Sequence, residues 1–278
     1  MRSAYDDGGY GGGGQMRFAF PPITPMVKRL VLINVAIYVL ILLTFNTDLN
    51  RLIFRALRLS PAAWRDMFPL VPVWQVVTYG FLHSPDPMHV FFNMLGLYFF
   101  GSMVETAVGP RRFLVTYLGA ILIGALVFLM VGMVSGSEHT VVGASGAVMC
   151  MIVAAACFQP NAMVILIIFP VPLKYLAGGL FALDTINGFM KLRGGGADGT
   201  SHLVHIVGAA YGFVLVKRGL IWKDPIGILQ ERRVVAMQTR RVDEDQRMDE
   251  LLAKISRDGI NSLSRGERDF LKRVSSRR

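Results

Sequence analysis

Residues 113–134 read FLVTYLGAILIGALVFLMVGMV and contain no charged side chain. A helix needs about 20 predominantly apolar residues to cross the hydrocarbon core of a bilayer, because backbone groups left unpaired in lipid are costly. Two basic residues, Arg111 and Arg112, come directly before the stretch, as is typical of the cytoplasmic end of a span. The sequence therefore predicts a transmembrane helix over Phe113–Val134.

Five further stretches have the character of spans. Three of them are clear: Val27–Phe45, Met88–Val108 and Leu203–Trp222. Val141–Phe158 is short and rich in small residues, and Met163–Met190 contains two prolines, a lysine and Asp184, so both are expected to be shielded by other helices. We therefore expect an all-α polytopic bundle of six transmembrane helices.

The chain divides into three parts by composition. We expect residues 1–24 to be a disordered glycine-rich leader without the apolar core of a signal peptide, 25–222 to be the membrane domain, and 223–278 to be a charged cytosolic tail. Basic residues flank the first and last spans, and an even number of spans puts both termini in the cytoplasm, with the bundle in the inner (cell) membrane. Between the first two spans, residues 51–59 alternate arginines with apolar residues in the pattern of an interfacial amphipathic helix.

The tail has the pattern of a helical hairpin. Apolar residues at helical spacing predict a helix over Asp243–Ser256, which Gly259 ends. Ser264 and Glu267 form a plausible capping box for a second helix. The tail is a candidate surface for a cytosolic partner.

Composition excludes several classes of protein. Hydrophobic residues make up 53% of the chain and charged residues 17%, which is unusual for a soluble fold. The net charge of +10 is spread over both ends and the loops, so we expect no nucleic-acid binding. Cys150 and Cys157 lie on one helical face and cannot readily form a disulfide, and no metal or cofactor motif is present.

Polar groups inside a bilayer are costly, so their placement is informative. Ser145 lies at the outer start of the fourth stretch, between Gly143 and Gly146, which allow backbone and substrate to approach. Alone, this pattern is more often a packing motif for membrane helices.

A histidine occurs at the matching depth of the last span. His205, Gly208 and Gly212 share one helical face, and the Gly-x-x-x-Gly pair allows another helix to come unusually near. A neutral histidine bonded to a neighbouring helix is the alternative. Because Ser145 shares its depth, we interpret His205 as the base for a serine nucleophile.

His89 and Asn93 are four residues apart on the outer half of the second span. Each can donate a hydrogen bond to an oxyanion, a role worth about 2.7–4 kcal/mol per donor in acyl transfer. A polar pair that ties helices together is the structural alternative. The serine, the histidine and this pair together supply a nucleophile, a base and oxyanion stabilisers.

In these motifs the sequence resembles the rhomboid family of intramembrane serine proteases. The resemblance covers about residues 25–220 and rests on Gly143–Gly146, His89–Asn93 and His205–Gly212, in the family's order. It implies a Ser145–His205 dyad without a third acidic member, an oxyanion site of His89, Asn93 and the Ser145 N–H, and a water-filled cavity that opens outward. It also implies single-span membrane proteins as substrates.

The sequence also gives expectations for residues outside these motifs. Met149 stands where many members have a tyrosine against the base. Glu105 with Arg112 is expected to be an inner structural pair, and Asp184 either lines the cavity or reaches outer water. The loop Gly194–Gly199 is a candidate flexible cap.

Two other functions compete with proteolysis. A catalytically silent relative would bind membrane clients without cutting them, but such relatives typically lack the serine or the histidine. A small transporter would require more ionisable residues near the midplane and internal repeats, and neither is evident.

Overall fold

A computed structural model describes residues 22–166, 169–194 and 199–275. Most of the expected leader, 1–24, and the centre of the glycine-rich loop, Gly194–Gly199, lie outside these ranges. The chain forms two compact units, which meet in sequence between Trp222 and Lys223.

Three helical segments of the described chain are long and apolar enough to cross a membrane. They are α1 (Pro25–Leu43), the continuous segment of α5 (Pro87–Gly96), a π-helical turn and α6 (Ser102–Val108), and α7 (Pro110–Ser135). Each segment begins with a proline, whose missing N–H costs nothing at the first helical position. These helices match the first three clear stretches of the sequence.

Three short helices connect α1 to α5: α2 (Asp48–Leu57), α3 (Pro61–Asp66) and α4 (Gln75–Thr78). The predicted amphipathic segment after the first span is a helix, α2, with Thr47 accepting a hydrogen bond at its N-cap. In the loop that follows, Leu59 pairs its backbone with Val141 in an antiparallel bridge.

The fifth predicted span begins ten residues too early. Met163–Leu166 (β1) and Phe169–Pro172 (β2) form an antiparallel hairpin, with Met163 opposite Pro172. Two prolines two residues apart cannot join a helix interior, because each lacks an N–H and clashes with the preceding turn. The helix α9 therefore runs only over Leu173–Gly194.

Two shorter apolar helices complete the unit: α8 (Ser145–Phe158) and α10 (Gly199–Lys217). The fourth predicted stretch is helical only from Ser145, because residues 141–144 form an extended segment and a bend. Along α8 and α10, Gly146 faces Gly208 and Cys150 faces Gly212, so the two helices run in the same direction.

The second unit consists mainly of α11 (Pro225–Asp258) and α12 (Arg265–Ser275). Gly259 ends α11 with φ of 79°, a conformation that favours glycine. Ser264 and Glu267 exchange hydrogen bonds of 2.7 and 3.3 Å, which confirms the predicted capping box. The first tail helix begins at Pro225, earlier than its apolar pattern had indicated.

Candidate active site

Ser145 and His205 are in direct contact. The Ser145 hydroxyl lies 2.6 Å from His205 Nε2, although 60 residues separate them in sequence. Ser145 is the first residue of α8, where backbone N–H groups have no partner in a preceding turn. The hydroxyl therefore sits beside the partially positive end of a helix, which favours negative charge on that oxygen.

The turn before Ser145 is held by two other segments. Gly143 donates its backbone N–H to the Tyr79 carbonyl at 2.8 Å, and the Tyr79 hydroxyl donates to the Ile121 carbonyl on α7. Gly143 has φ of 120°, which a residue with a side chain rarely adopts. The glycine is thus required for the chain to turn sharply into α8.

Close contact between α8 and α10 sets the depth of His205. A Cβ atom at Gly208 would overlap the Gly146 carbonyl, and one at Gly212 would lie 2.6 Å from the Cys150 carbonyl. The predicted glycine face of α10 is therefore in backbone contact with α8. Since His205 lies three residues before Gly208 on this face, its imidazole meets the start of α8.

His89 borders the same space. The Ser84 hydroxyl is 2.9 Å from His89 Nδ1 and can donate to it, which leaves the proton of a neutral ring on Nε2. A Cβ atom at Gly143 would lie 2.9 Å from His89 Nε2 and 3.7 Å from Ser145 Oγ. His89 Nε2 and the Ser145 hydroxyl thus flank one small volume beside Gly143.

Asn93 lies one turn further along α5 and is buried, with 5% of its surface exposed. Its amide nitrogen donates to the His89 carbonyl at 2.9 Å, so one of its two N–H bonds is used within the helix. The second remains available as a donor. The structure therefore brings Ser145, His205 and His89 together at the start of α8, and Asn93 follows His89 one turn further along α5.

Asp184 changes the expected dyad. Its carboxylate oxygens lie 3.0 and 3.1 Å from His205 Nδ1, on the opposite side of the ring from Ser145. The resemblance implies no third acidic member, whereas the structure places a carboxylate against the second nitrogen of the His205 ring. Asp184 lines the site and is only 13% exposed, because α9 packs against α10 at this level.

A second histidine shares the Asp184 carboxylate. His202 Nδ1 lies 2.5 Å from Asp184 Oδ1, one helical turn before His205. His202 lies near the start of α10. This cluster has a signal in the sequence. Two histidines lie three residues apart, and an aspartate lies in the preceding apolar stretch.

His83 and His139 take different positions in the loops. His139 is exposed between α7 and α8. His83 is fully buried beside the His89 ring, with centroids 5.3 Å apart, and this burial lowers the His83 pKa to about 4. A neutral His83 therefore backs His89 at physiological pH. Met149, on α8, is buried in the hydrophobic core of the bundle.

The predicted Glu105–Arg112 pair is wrong. The Glu105 carboxylate instead binds the start of α1, accepting from the Thr24 hydroxyl at 2.5 Å and from the Met26 and Val27 N–H groups at 3.0 and 2.9 Å. The unpaired N–H groups and the partial positive charge at the start of α1 attract the Glu105 carboxylate and supply it with hydrogen bonds. Arg112 donates to the Val108 carbonyl instead.

The fold and site define a multi-pass membrane protein with a serine, a histidine and an aspartate in hydrogen-bonded series. The Rhomboid domain family matches residues 72–220, more than half of the chain, so this protein belongs to the rhomboid family. Residues 237–277 match DUF6576, a family of unknown function.

Curated relatives agree with the family. The chain is 28% identical over 142 residues to the presenilin-associated rhomboid-like protein, mitochondrial, of Bos taurus, and 29% identical over 142 residues to those of Mus musculus and Homo sapiens. Each match covers 49% of this chain and 36% of the relative. The chain thus spans little more than a third of the length of these proteins.

Proposed function

We propose that this protein is an intramembrane serine protease that cleaves single-span membrane proteins in or near their transmembrane segments. The observation that carries the proposal is the 2.6 Å contact between Ser145 Oγ and His205 Nε2. A serine hydroxyl is a weak nucleophile, and a histidine within hydrogen-bonding reach is the usual means of activating it.

The first half of the reaction forms an acyl-enzyme. The Ser145 proton passes to His205 Nε2 while Oγ attacks the carbonyl carbon of the scissile peptide. The resulting oxyanion is stabilised by the Ser145 backbone N–H, His89 Nε2–H and the second Asn93 N–H. His205 then gives the proton to the leaving amine, and the C–N bond breaks.

The second half releases the new carboxyl end. Water loses a proton to His205 and attacks the acyl carbon, and the proton returns to Ser145 Oγ as the ester breaks. In both halves Asp184 accepts from His205 Nδ1, holds the ring with Nε2 free to accept a proton, and stabilises the imidazolium. Asp184 thus completes a triad.

A regular helix hides its carbonyls in hydrogen bonds along its own axis, so a substrate helix must unwind to reach Ser145. We propose substrates with helix-breaking residues near the cut for this reason.

The direction of the helices supports a six-span topology. Because α8 and α10 run the same way and touch, the chain between them must return across the bundle, and α9 is the helix available to do so. We propose that α1, α5–α6, α7, α8, α9 and α10 each cross the membrane and that both termini face the cytoplasm of a cell membrane. Reporter fusions at each terminus test this orientation.

The activity is tested with the detergent-solubilised full chain and a panel of single-span reporters. We expect cleavage and fluorophosphonate labelling by the natural sequence and by Ser137→Ala, a control at a serine in the loop after α7. We expect neither from Ser145→Ala. Reporter binding without cleavage or labelling in any variant would instead identify a silent protein that captures membrane clients.

A further inference from the structure

The cluster of Asp184, His202 and His205 contains one residue more than the proposed reaction uses. A proton-transfer triad needs a single imidazole on its carboxylate, yet Asp184 Oδ1 lies 2.5 Å from His202 Nδ1 and 3.0 Å from His205 Nδ1. His202 Nε2 is buried without a hydrogen-bond partner in the described residues, so Asp184 is the partner that orients this ring.

Two imidazole nitrogens and a carboxylate oxygen are the donor set of many zinc sites that keep an open position. Here one ligand atom from each of the three residues lies within 4.8 Å of the other two. A tetrahedral zinc ion with bonds of 2.0–2.1 Å separates its ligands by about 3.3 Å, so the two shorter gaps would open by less than about 1 Å. The third gap, between the two imidazole nitrogens, is at most 4.8 Å and would close by less than about 1.5 Å.

An ion from solution has access to the cluster. The side chains of His202, Asp184 and His205 are 14%, 13% and 23% exposed. Partial exposure leaves room for a metal-bound water at the fourth position, and the carboxylate offsets part of the charge of a dication.

We infer that Asp184, His202 and His205 form an inhibitory binding site for zinc and similar transition-metal dications. Coordination at Nδ1 requires the lone pair of that nitrogen, so the proton of a neutral His205 must lie on Nε2. A protonated Nε2 donates to Ser145 Oγ and cannot accept its proton. The ion thus removes the general base and the Asp184 contact in one step, without occupying the position of the substrate.

Metal binding is independent of the proposed function, whereas the inhibition rests on it, so the two are measured separately. Binding is followed by the visible absorption of Co²⁺ in the metal-stripped full chain without a polyhistidine tag, on a Ser145→Ala background. We expect bands of tetrahedral Co²⁺ that Zn²⁺ abolishes. Replacing His202 by alanine should weaken binding at least about tenfold, whereas His139→Ala, at the exposed loop histidine, should leave it unchanged.

Inhibition is measured as the zinc concentration that halves each variant's own metal-free cleavage rate. We expect reversible inhibition, relieved by a chelator, at a concentration at least about tenfold higher in His202→Ala than in His139→Ala. Absence of the Co²⁺ bands, or equal zinc sensitivity of the two variants, would overturn the inference. If no variant cleaves any reporter while the Co²⁺ bands appear, the metal site stands and the proposed protease function fails.

Discussion

Replacing Asp184 by asparagine tests whether the aspartate acts in the reaction. The two carboxylate oxygens accept from His205 Nδ1 at 3.0 and 3.1 Å, and a carboxylate can only accept. The asparagine amide can instead donate to Nδ1, which favours the ring tautomer with its proton on Nε2. That tautomer donates to Ser145 Oγ and cannot serve as its base.

The size of the effect follows from how well Asp184 is enclosed. In serine proteases with a buried aspartate, the same change lowers kcat about 10⁴-fold, or about 5 kcal/mol of transition-state stabilisation. Asp184 is 13% exposed and also binds His202, so water and the second ring offset part of the loss. We expect kcat to fall between about 10²- and 10⁴-fold, with KM changed by less than about threefold because Asp184 does not touch the substrate.

The assay is steady-state cleavage of a single-span reporter by the purified full chain. Thr185→Ala is the matched control, because Thr185 neighbours Asp184 on α9 and donates to the Phe181 carbonyl. Its rate should equal that of the natural sequence, and Asp184→Glu should recover part of the activity. If Asp184→Asn retained more than about a tenth of the natural kcat, Ser145 and His205 would suffice as a dyad and the triad would be wrong.

Three further predictions concern the stability of the fold in each unit. Gly208→Ala should push α10 away from α8, lowering stability by about 1–3 kcal/mol in thermal unfolding in detergent and reducing cleavage, whereas Gly179→Ala in open space should do neither. Glu105→Ala should destabilise the start of α1, by about 2–4 kcal/mol in the same measurement, because three hydrogen bonds to a carboxylate are lost. In the tail, the hydrogen bond from Lys254 holds the Glu267 pKa at about 2, so its contribution to stability is present above about pH 4.5 and is lost as the pH falls towards 2. Hydrogen exchange of the tail in the full chain, corrected for intrinsic rates, should show this loss in the natural sequence and not in Glu267→Gln.

Each of these substitutions has an outcome that contradicts its reasoning. Equal melting temperatures for the variants at Gly208 and Gly179 would mean that the helices separate without cost. An unchanged melting temperature for Glu105→Ala would mean that other contacts hold the start of α1. Identical hydrogen exchange of the Glu267→Gln and natural tails across the pH range would show that the Lys254–Glu267 contact does not stabilise the hairpin.

Much of the site could be predicted because its signals are local. Ser145 and His205 are polar residues within three positions of a glycine in apolar stretches, where the cost of polarity and the need for close approach both restrict the sequence. Spacing of four residues placed His89 and Asn93 on one face of a helix, as the structure has them. Hydropathy also located, to within a few residues, the three segments of the described chain that are long and apolar enough to cross a membrane.

One error arose where two elements share one hydropathy signal. The hairpin of β1 and β2 is as apolar as the helix after it, so only Pro170 and Pro172 marked the boundary. Because the helix was predicted to start at Met163 instead of Leu173, the sequence did not show that Asp184 lies at the depth of His202 and His205. The Glu105–Arg112 pair was inferred from charge alone, and nothing in the sequence showed that the N-terminus of α1 would compete for the carboxylate.

The backbone contact between α8 and α10 leaves the side chains on the outer surface of α10 free to change during evolution. Because peptide groups, which every residue type shares, set the separation of the two helices at Gly208 and Gly212, the outer surface of α10 takes no part in holding nucleophile and base together. Phe213 and Val214 on that surface are each 49% exposed and can be exchanged for other apolar residues without moving the reacting atoms. Descendants could therefore adapt this surface to membranes of different lipid composition while inheriting the same chemistry.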